Sequence, residues 1–231
     1  MRSVADAESV AGRTDRLRWQ RHQVEAETRR IHWPNTLKAR RNARLLHEHL
    51  RFKAVRKSIS ELHCVLLDCS ASMMTAGQLA AAKGVLLDLG QQAYRRRDAL
   101  AVISFAGNKV QVLHDPHKAG AHARAWIEPI SGGGGSPVHL AIQRAEQLML
   151  HQQKRFPDRR RVLWLLSDGR YEPLPALPRH VHECHVVDFE SGFLTLGRIR
   201  QLAELWQATY TPASHWVGVR DKQSPGNRTF R

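Results

Sequence analysis

The chain has 231 residues, 42% of them hydrophobic, with 36 Lys and Arg against 21 Asp and Glu and three cysteines. That length exceeds one ordinary domain of about 100–150 residues without demanding two full cores, and no segment approaches the roughly 20 apolar residues of a membrane span. An odd cysteine count with no Cys-x-x-Cys pair argues against a disulfide framework and a thiolate zinc site, leaving Cys64, Cys69 and Cys184 as reduced, buried thiols.

The formal charge of +15 is uneven: residues 1–57 hold 15 Lys and Arg against 6 Asp and Glu, residues 215–231 hold 4 against 1, and the middle 17 against 14. The basic excess therefore sits on the flanks, where it could meet nucleic acid, an anionic surface or an acidic protein. Met1 to Arg18 lacks the apolar centre of a secretory signal, which predicts a cytoplasmic protein.

In chain order, Asp15 to His32 and Thr36 to Lys57 carry sparse apolar residues (Leu17, Val24, Ile31, Leu45, Leu46, Leu50) among Arg, His and Glu. They predict a basic helical extension over 1–57, two helices parted by Pro34. Residues 58–214 then alternate strand-like and helix-like runs. Glu61–Leu67 reads as a strand and Ala76–Arg95 as a helix, with Leu79, Ala82, Leu86, Leu89 and Ala93 at helical spacing. Ala99–Phe105 and Lys109–Leu113 follow as a hairpin and Lys118–Ile127 as a short helix. Val138, Ile142, Ala145 and Met149 mark another helix, and Val162–Leu166 and Val181–Asp188 are strands before a helix over Leu196–Ala208. Such alternation favours an α/β domain with a mainly parallel sheet and helices on both faces. The stretch 215–231 reads as a disordered basic tail.

Three segments carry the chemistry. Cys64-Val65-Leu66-Leu67 runs directly into Asp68-Cys69-Ser70-Ala71-Ser72, so in an extended backbone Asp68, Ser70 and Ser72 would share one side. Ser131-Gly132-Gly133-Gly134-Gly135-Ser136-Pro137 precedes a helix, with Ser136 placed as its N-cap and Pro137 just inside. Val162 to Leu166 ends in Ser167-Asp168-Gly169. In open α/β sheets ligands gather at the carboxyl ends of strands, which puts Asp68 and Asp168 on one edge. Carboxylates with hydroxyls suit a hard divalent cation such as Mg2+, which keeps near-octahedral oxygen ligands and open or water-filled positions.

This constellation resembles the metal-ion-dependent adhesion site (MIDAS) of von Willebrand factor type A domains, whose pattern is Asp-x-Ser-x-Ser, a distant threonine and a distant aspartate. Asp68, Ser70, Ser72, Ser136 and Asp168 stand at those positions, with serine replacing threonine at 136 and thereby losing the methyl that restrains χ1. The resemblance implies a Rossmann-like, doubly wound fold over 58–214. His49-Leu50-Arg51-Phe52-Lys53 and Val55-Arg56-Lys57, leading into the metal motif and followed by the Ser-Gly-Gly-Gly-Gly-Ser-Pro loop, further resemble the carboxyl-terminal half of the magnesium chelatase D subunit and its cobalt-chelatase relatives. That implies a short version of the metal-binding half, without the ATPase-like module. On this resemblance the chain is a non-catalytic accessory subunit, cobalt insertion for cobalamin synthesis being preferred over magnesium insertion. Its partners would be an AAA+ ATPase subunit and a large tetrapyrrole-binding subunit, with Mg2+ as cofactor and neither nucleic acid nor membrane expected.

No Gly-x-x-x-x-Gly-Lys-Ser/Thr motif occurs, so nucleotide hydrolysis would belong to another chain. His180, His182 and Cys184, on one face of a predicted strand, form a candidate second cluster for a softer metal. Two other functions fit the residues: a type A scaffold for a different AAA+ ATPase, and a nucleic-acid module using the basic flanks, whose binding would fall steeply with salt.

Overall fold

A computed structural model describes residues 23–58, 60–120, 123–191 and 196–217. The chain divides into two compact units, Met1–Ile59 and Ser60–Arg231.

In the first unit, strands β1 (Gln23–Ile31) and β2 (Phe52–Ser58) pair antiparallel, from Gln23 opposite Ser58 to Ile31 opposite Phe52, with a register shift between Glu27 and Ile31. Between them lie helix α1 (Trp33–Arg40) and a 3-10 turn at His47–His49. The basic extension is thus a hairpin with one short helix where two helices were expected. Val24, Ala26 and Thr28 alternate with Glu25, Glu27 and Arg29, a period-two pattern, and a thin helical stripe loses to a strand that has a partner. Pro34 falls in the first turn of α1, where its missing N–H costs nothing. His32 Nδ1 caps that turn by accepting from Asn35 N at 3.2 Å. Thr36, fully buried, fastens the helix to the approach of β2 by accepting from Arg51 N at 3.0 Å. The part of the predicted extension before residue 23 lies outside the described residues.

The second unit carries a six-stranded sheet. Its strands are β3 (Glu61–Asp68), β4 (Ala99–Ala106), β5 (Lys109–Lys118), β6 (Arg160–Ser167), β7 (Glu183–Asp188) and β8 (Thr209–Pro212). They lie in the order β5-β4-β3-β6-β7-β8, and only β5 runs antiparallel to its neighbour. The helices are α2 (Gln78–Arg96), α3 (Ala123–Ile127), α4 (Val138–Arg155), α5 (Arg198–Trp206) and α6 (Ala213–Val217). Every residue of β3 is buried, as a parallel strand covered on both faces must be. Leu62, Cys64 and Leu66 join a core with Val138, Ala141 and Ala145 of α4 and Ile199 and Leu202 of α5. Helix α2 packs on β3 and β4 with Ala82, Leu86, Leu89 and Ala93, none of which belongs to that core, so it covers the opposite face. Each such leucine, fully removed from water, contributes about 1.5–3 kcal/mol.

Strand order reverses at β3, whose crossover leads one way to β4, while the chain that returns at β6 continues the other way to β7 and β8. The crevice at the carboxyl ends of β3 and β6 is therefore the switch point where such sheets bind ligands. Strand β8 and helix α6 escaped the sequence pattern: a four-residue edge strand ending in Pro212 looks like a break. Helix α6 also runs into the stretch assigned to the tail, whose residues 218–231 lie outside the described residues. Among the described residues no helix is long and apolar enough to cross a membrane.

Candidate functional site

The candidate oxygen ligands after β3 converge by turns, where strand alternation was the expected cause. Strand pairing of β3 ends at Asp68, opposite Phe105, and Cys69 N then donates to Phe105 O at 2.9 Å. Ser70 N folds back onto Asp68 Oδ1 at 2.9 Å, an Asx turn of the kind aspartate favours. Ser72 opens a 3-10 turn that breaks at Thr75 and Ala76, whose backbone leaves helical geometry, and its hydroxyl lies 3.1 Å from Ser70 Oγ. Three side chains that would have pointed along one face of a strand are instead gathered by backbone curvature.

The glycine loop brings in the fourth residue. Gly133 N donates to Cys69 O at 2.8 Å and Ala71 N to Gly134 O at 2.9 Å, so the loop lies against the turn after β3. A Cβ on Gly132 would stand 2.4 Å from Cys69 O, closer than real Cβ atoms come, which is why this contact needs glycine. Behind the loop, Ser136 Oγ donates to Asp68 Oδ2 at 3.1 Å across 68 positions of sequence. Ser136 is not the helix cap; Pro137 occupies that position and α4 begins at Val138, which leaves the serine hydroxyl for Asp68.

Asp168 follows β6 and is buried. Its Oδ1 accepts from Arg170 N at 3.3 Å, whereas Oδ2 accepts no hydrogen bond among the described residues. Sequence reasoning missed Ser167, the last residue of β6, whose hydroxyl donates to Asp68 Oδ2 at 2.6 Å and accepts from Gly169 N at 3.0 Å. A hydroxyl at the end of a buried strand, beside the aspartate edge, was the available signal. Burial pushes the Asp68 carboxyl above its ordinary value and the charge of Asp168 pushes the same way, while bonds from Ser167 and Ser70 partly hold it down. Two buried carboxylates raising each other's cost, one with an oxygen lacking a hydrogen bond, form a site that a hard cation would relieve. By that test the residues fit a divalent metal.

The second candidate cluster is not assembled. His180 sits in a turn at φ 65° and His182 precedes the first residue of β7, so the two do not share a strand face with Cys184. Arg161 engages both, its Nε donating to His180 O at 2.7 Å and its backbone N to His182 Nδ1 at 3.1 Å. Cys184 turns into the core, where burial raises its thiol to about 12.

Among the described residues, the three metal-type ligands that do come together are Glu61, His63 and Asp98, at the far end of β3, with ligand atoms within 4.8 Å of one another. There Trp164 Nε1, a donor only, lies 3.3 Å from His63 Nδ1. The ring proton accordingly belongs on Nε2, which faces Glu61 Oε2 at 3.4 Å and Asp98 Oδ2 at 3.8 Å. A cavity of about 560 Å3, lined by Gln78, Asp188, Glu190, Arg200 and Tyr210 among others, includes none of the five MIDAS-like residues.

Residues 64–170 match the von Willebrand factor type A domain family. An uncharacterised protein of Mycobacterium tuberculosis is 30% identical over 165 residues, covering 64% of this chain and 26% of that protein. The magnesium-chelatase 60 kDa subunit of Rhodobacter capsulatus is 31% identical over 116 residues, 50% of this chain and 20% of the subunit. The magnesium-chelatase 67 kDa subunit of Chlorobaculum tepidum is 32% identical over 95 residues, 41% of this chain and 15% of the subunit. The match thus spans only 15–26% of the length of these relatives. Among solved structures, the pilus adhesin SpaC of Lactobacillus rhamnosus GG shares the fold at TM-score 0.51 and 12% identity, over 72% of this chain and 30% of that one. Proximal thread matrix protein 1 of the mussel byssus does so at TM-score 0.50 and 13% identity, over 70% and 43%.

Proposed function

This chain is a von Willebrand factor type A domain protein that resembles the magnesium-chelatase subunits, and on that premise we propose that it is a non-catalytic accessory subunit of an ATP-dependent metal chelatase. Asp68, Ser70, Ser72, Ser136 and Asp168 would hold Mg2+, and the bound ion would supply a Lewis-acidic vertex for an acidic side chain of a partner. The partners are an AAA+ ATPase subunit and a large tetrapyrrole-binding subunit. Cobalt is preferred over magnesium as the inserted metal, which is the complex's substrate and distinct from the resident ion.

The observation that carries this reading is the hydrogen bond from Ser136 Oγ to Asp68 Oδ2 at 3.1 Å, which ties the glycine loop to the end of β3 beside a buried Asp168. In this scheme the side chains do no bond chemistry. Ser70 N, Ser136 Oγ and Ser167 Oγ orient the Asp68 carboxylate, and the clamped loop keeps the oxygens preorganised so that docking does not have to order them. Movement driven by the ATPase would be transmitted to the chelating subunit through this contact.

The test is a pull-down from native extract with and without a magnesium chelator. Metal-dependent recovery of a large chelatase subunit and a small ATPase is the expected result. Equal recovery with chelator, or with Asp68→Ala, would eliminate docking through the metal.

A further inference from the structure

Arg170 already stands against the site as a cation. Its backbone N–H closes on Asp168 Oδ1 at 3.3 Å, while its Nε lies 3.5 Å from Oδ2, the oxygen that accepts no hydrogen bond among the described residues. The Asp168 side chain is 1% exposed and that of Arg170 49%, so the guanidinium leans over a buried carboxylate from the solvent side. The nearby Arg198 is committed elsewhere, to Tyr171 O at 2.8 Å and Glu172 Oε2 at 2.9 Å.

Charge balance gives this placement a consequence. Asp68 and Asp168 bring two negative charges and a divalent ion two positive ones, so a loaded site without Arg170 is neutral and turns negative when an acidic group docks. With Arg170 the loaded site carries one surplus positive charge, and an incoming carboxylate cancels it. The guanidinium offers a planar fork that matches a carboxylate. Its half-exposed side chain has the freedom to turn from Asp168 toward an arriving acid.

We propose that Arg170 is a charge-balancing, specificity-determining residue of this site: it weakens the hold on a divalent ion alone and makes ion binding favour simultaneous docking of a carboxylate. This inference rests on the metal reading above and adds a residue outside the five MIDAS-like positions.

The test uses the full chain with Mn2+ as the probe, its affinity measured by electron paramagnetic resonance with and without acetate. Arg170→Ala is expected to bind Mn2+ about two- to fivefold more tightly than wild type, the scale of one exposed ion pair. Acetate should tighten Mn2+ binding in wild type and do so less in Arg170→Ala. Arg170→Lys, which keeps the charge, should stay near wild type in acetate-free buffer. An Arg170→Ala protein that is folded by thermal scan yet binds Mn2+ no more tightly than wild type overturns the proposal and leaves the metal reading intact. Failure of the wild type itself to bind Mn2+ overturns both.

Discussion

Substituting Gly132 with alanine tests whether the glycine loop really clamps the site. The new Cβ would meet Cys69 O at 2.4 Å, Cys69 C at 3.1 Å and Met74 Sδ at 3.0 Å. Met74 is an exposed, flexible side chain that can yield. Cys69 O cannot yield cheaply, because Gly133 N donates to it at 2.8 Å and Cys69 N is itself tied to Phe105 O at 2.9 Å. The backbone of Gly132 is outside the left-handed region, so the penalty is steric alone. Overpacking of this type costs about 1–3 kcal/mol. For a protein of this size that corresponds to a melting temperature lower by about 2–12 °C. Retreat of the loop would also draw Ser136 from Asp68 and weaken the response to Mg2+. The assay is a thermal scan of the full chain with and without Mg2+, with Gly120→Ala as control, since a Cβ there meets nothing within 4 Å. If Gly132→Ala melts with wild type and gains as much from Mg2+, the loop is not the clamp described.

Asp68→Ala should stay folded and lose the stabilisation that Mg2+ gives the wild type, read as the disappearance of the Mg2+-induced rise in melting temperature. Because burial raises the Asp68 carboxyl, a proton competes with the ion. Mg2+ stabilisation should therefore grow as pH rises through and above the ordinary carboxylate range, which a melting series across pH would show. Ser136→Ala should weaken Mn2+ binding by about tenfold, the low end for loss of a group that orients a ligand, whereas Ser136→Thr should preserve it in a titration because the hydroxyl remains. Glu183 is held at about 2, first by the His185 bond at 2.9 Å and then by Arg160, against an ordinary value of 4.5. Its contribution is complete above pH 4.5 and is lost as pH falls toward 2, so Glu183→Gln should flatten the acid limb of the stability curve there.

The strands that position the site were legible because they are buried on both faces. Cys64 to Leu67 and Val162 to Leu166 are unbroken apolar runs, and an aspartate closing such a run marks a strand end without further information. What the pattern could not convey was the manner of convergence. The Asx turn at Asp68 is closed by its own carboxylate accepting from Ser70 N and the 3-10 turn by local backbone hydrogen bonds, and Asp-x-Ser-x-Ser is compatible with a straight strand as well. Ser167 stayed hidden because a single hydroxyl in a buried strand carries no periodicity. The histidine run misled for a related reason. Alternation from His180 to Cys184 presupposes a strand, yet strand β7 starts only at Glu183, and Arg161 of the neighbouring strand takes up the backbone and imidazole groups before it. In residues 23–58 the period-two alternation of Val24, Ala26 and Thr28 with Glu25, Glu27 and Arg29 is short and was outweighed by a thin helical stripe, and the pairing of β1 with β2 decided the outcome.

The two ends of β3 explain why the metal reading attaches to one end and not the other. Both place ionisable groups under burial: Glu61, His63 and Asp98 at one end, Asp68 and Asp168 at the other. At the first, the protein supplies its own compensation, with Trp164 Nε1 on His63 Nδ1, the opposite ring nitrogen facing two carboxylates, and Glu61 N donating to Asp98 Oδ1 at 3.0 Å. An ion bound to Nε2 would need the ring proton on Nδ1, where it would confront the indole N–H. At the second end, serine hydroxyls and backbone N–H groups serve Asp68, but among the described residues Oδ2 of Asp168 accepts no hydrogen bond and faces the side-on charge of a half-exposed arginine at 3.5 Å. A buried carboxylate left in that condition costs stability, and under the proposed metal reading Asp68 and Asp168 would together hold a divalent ion whose charge would offset that cost. The strand thus surrounds one end with protein partners, and the proposed metal would serve the other, at the switch point of the sheet.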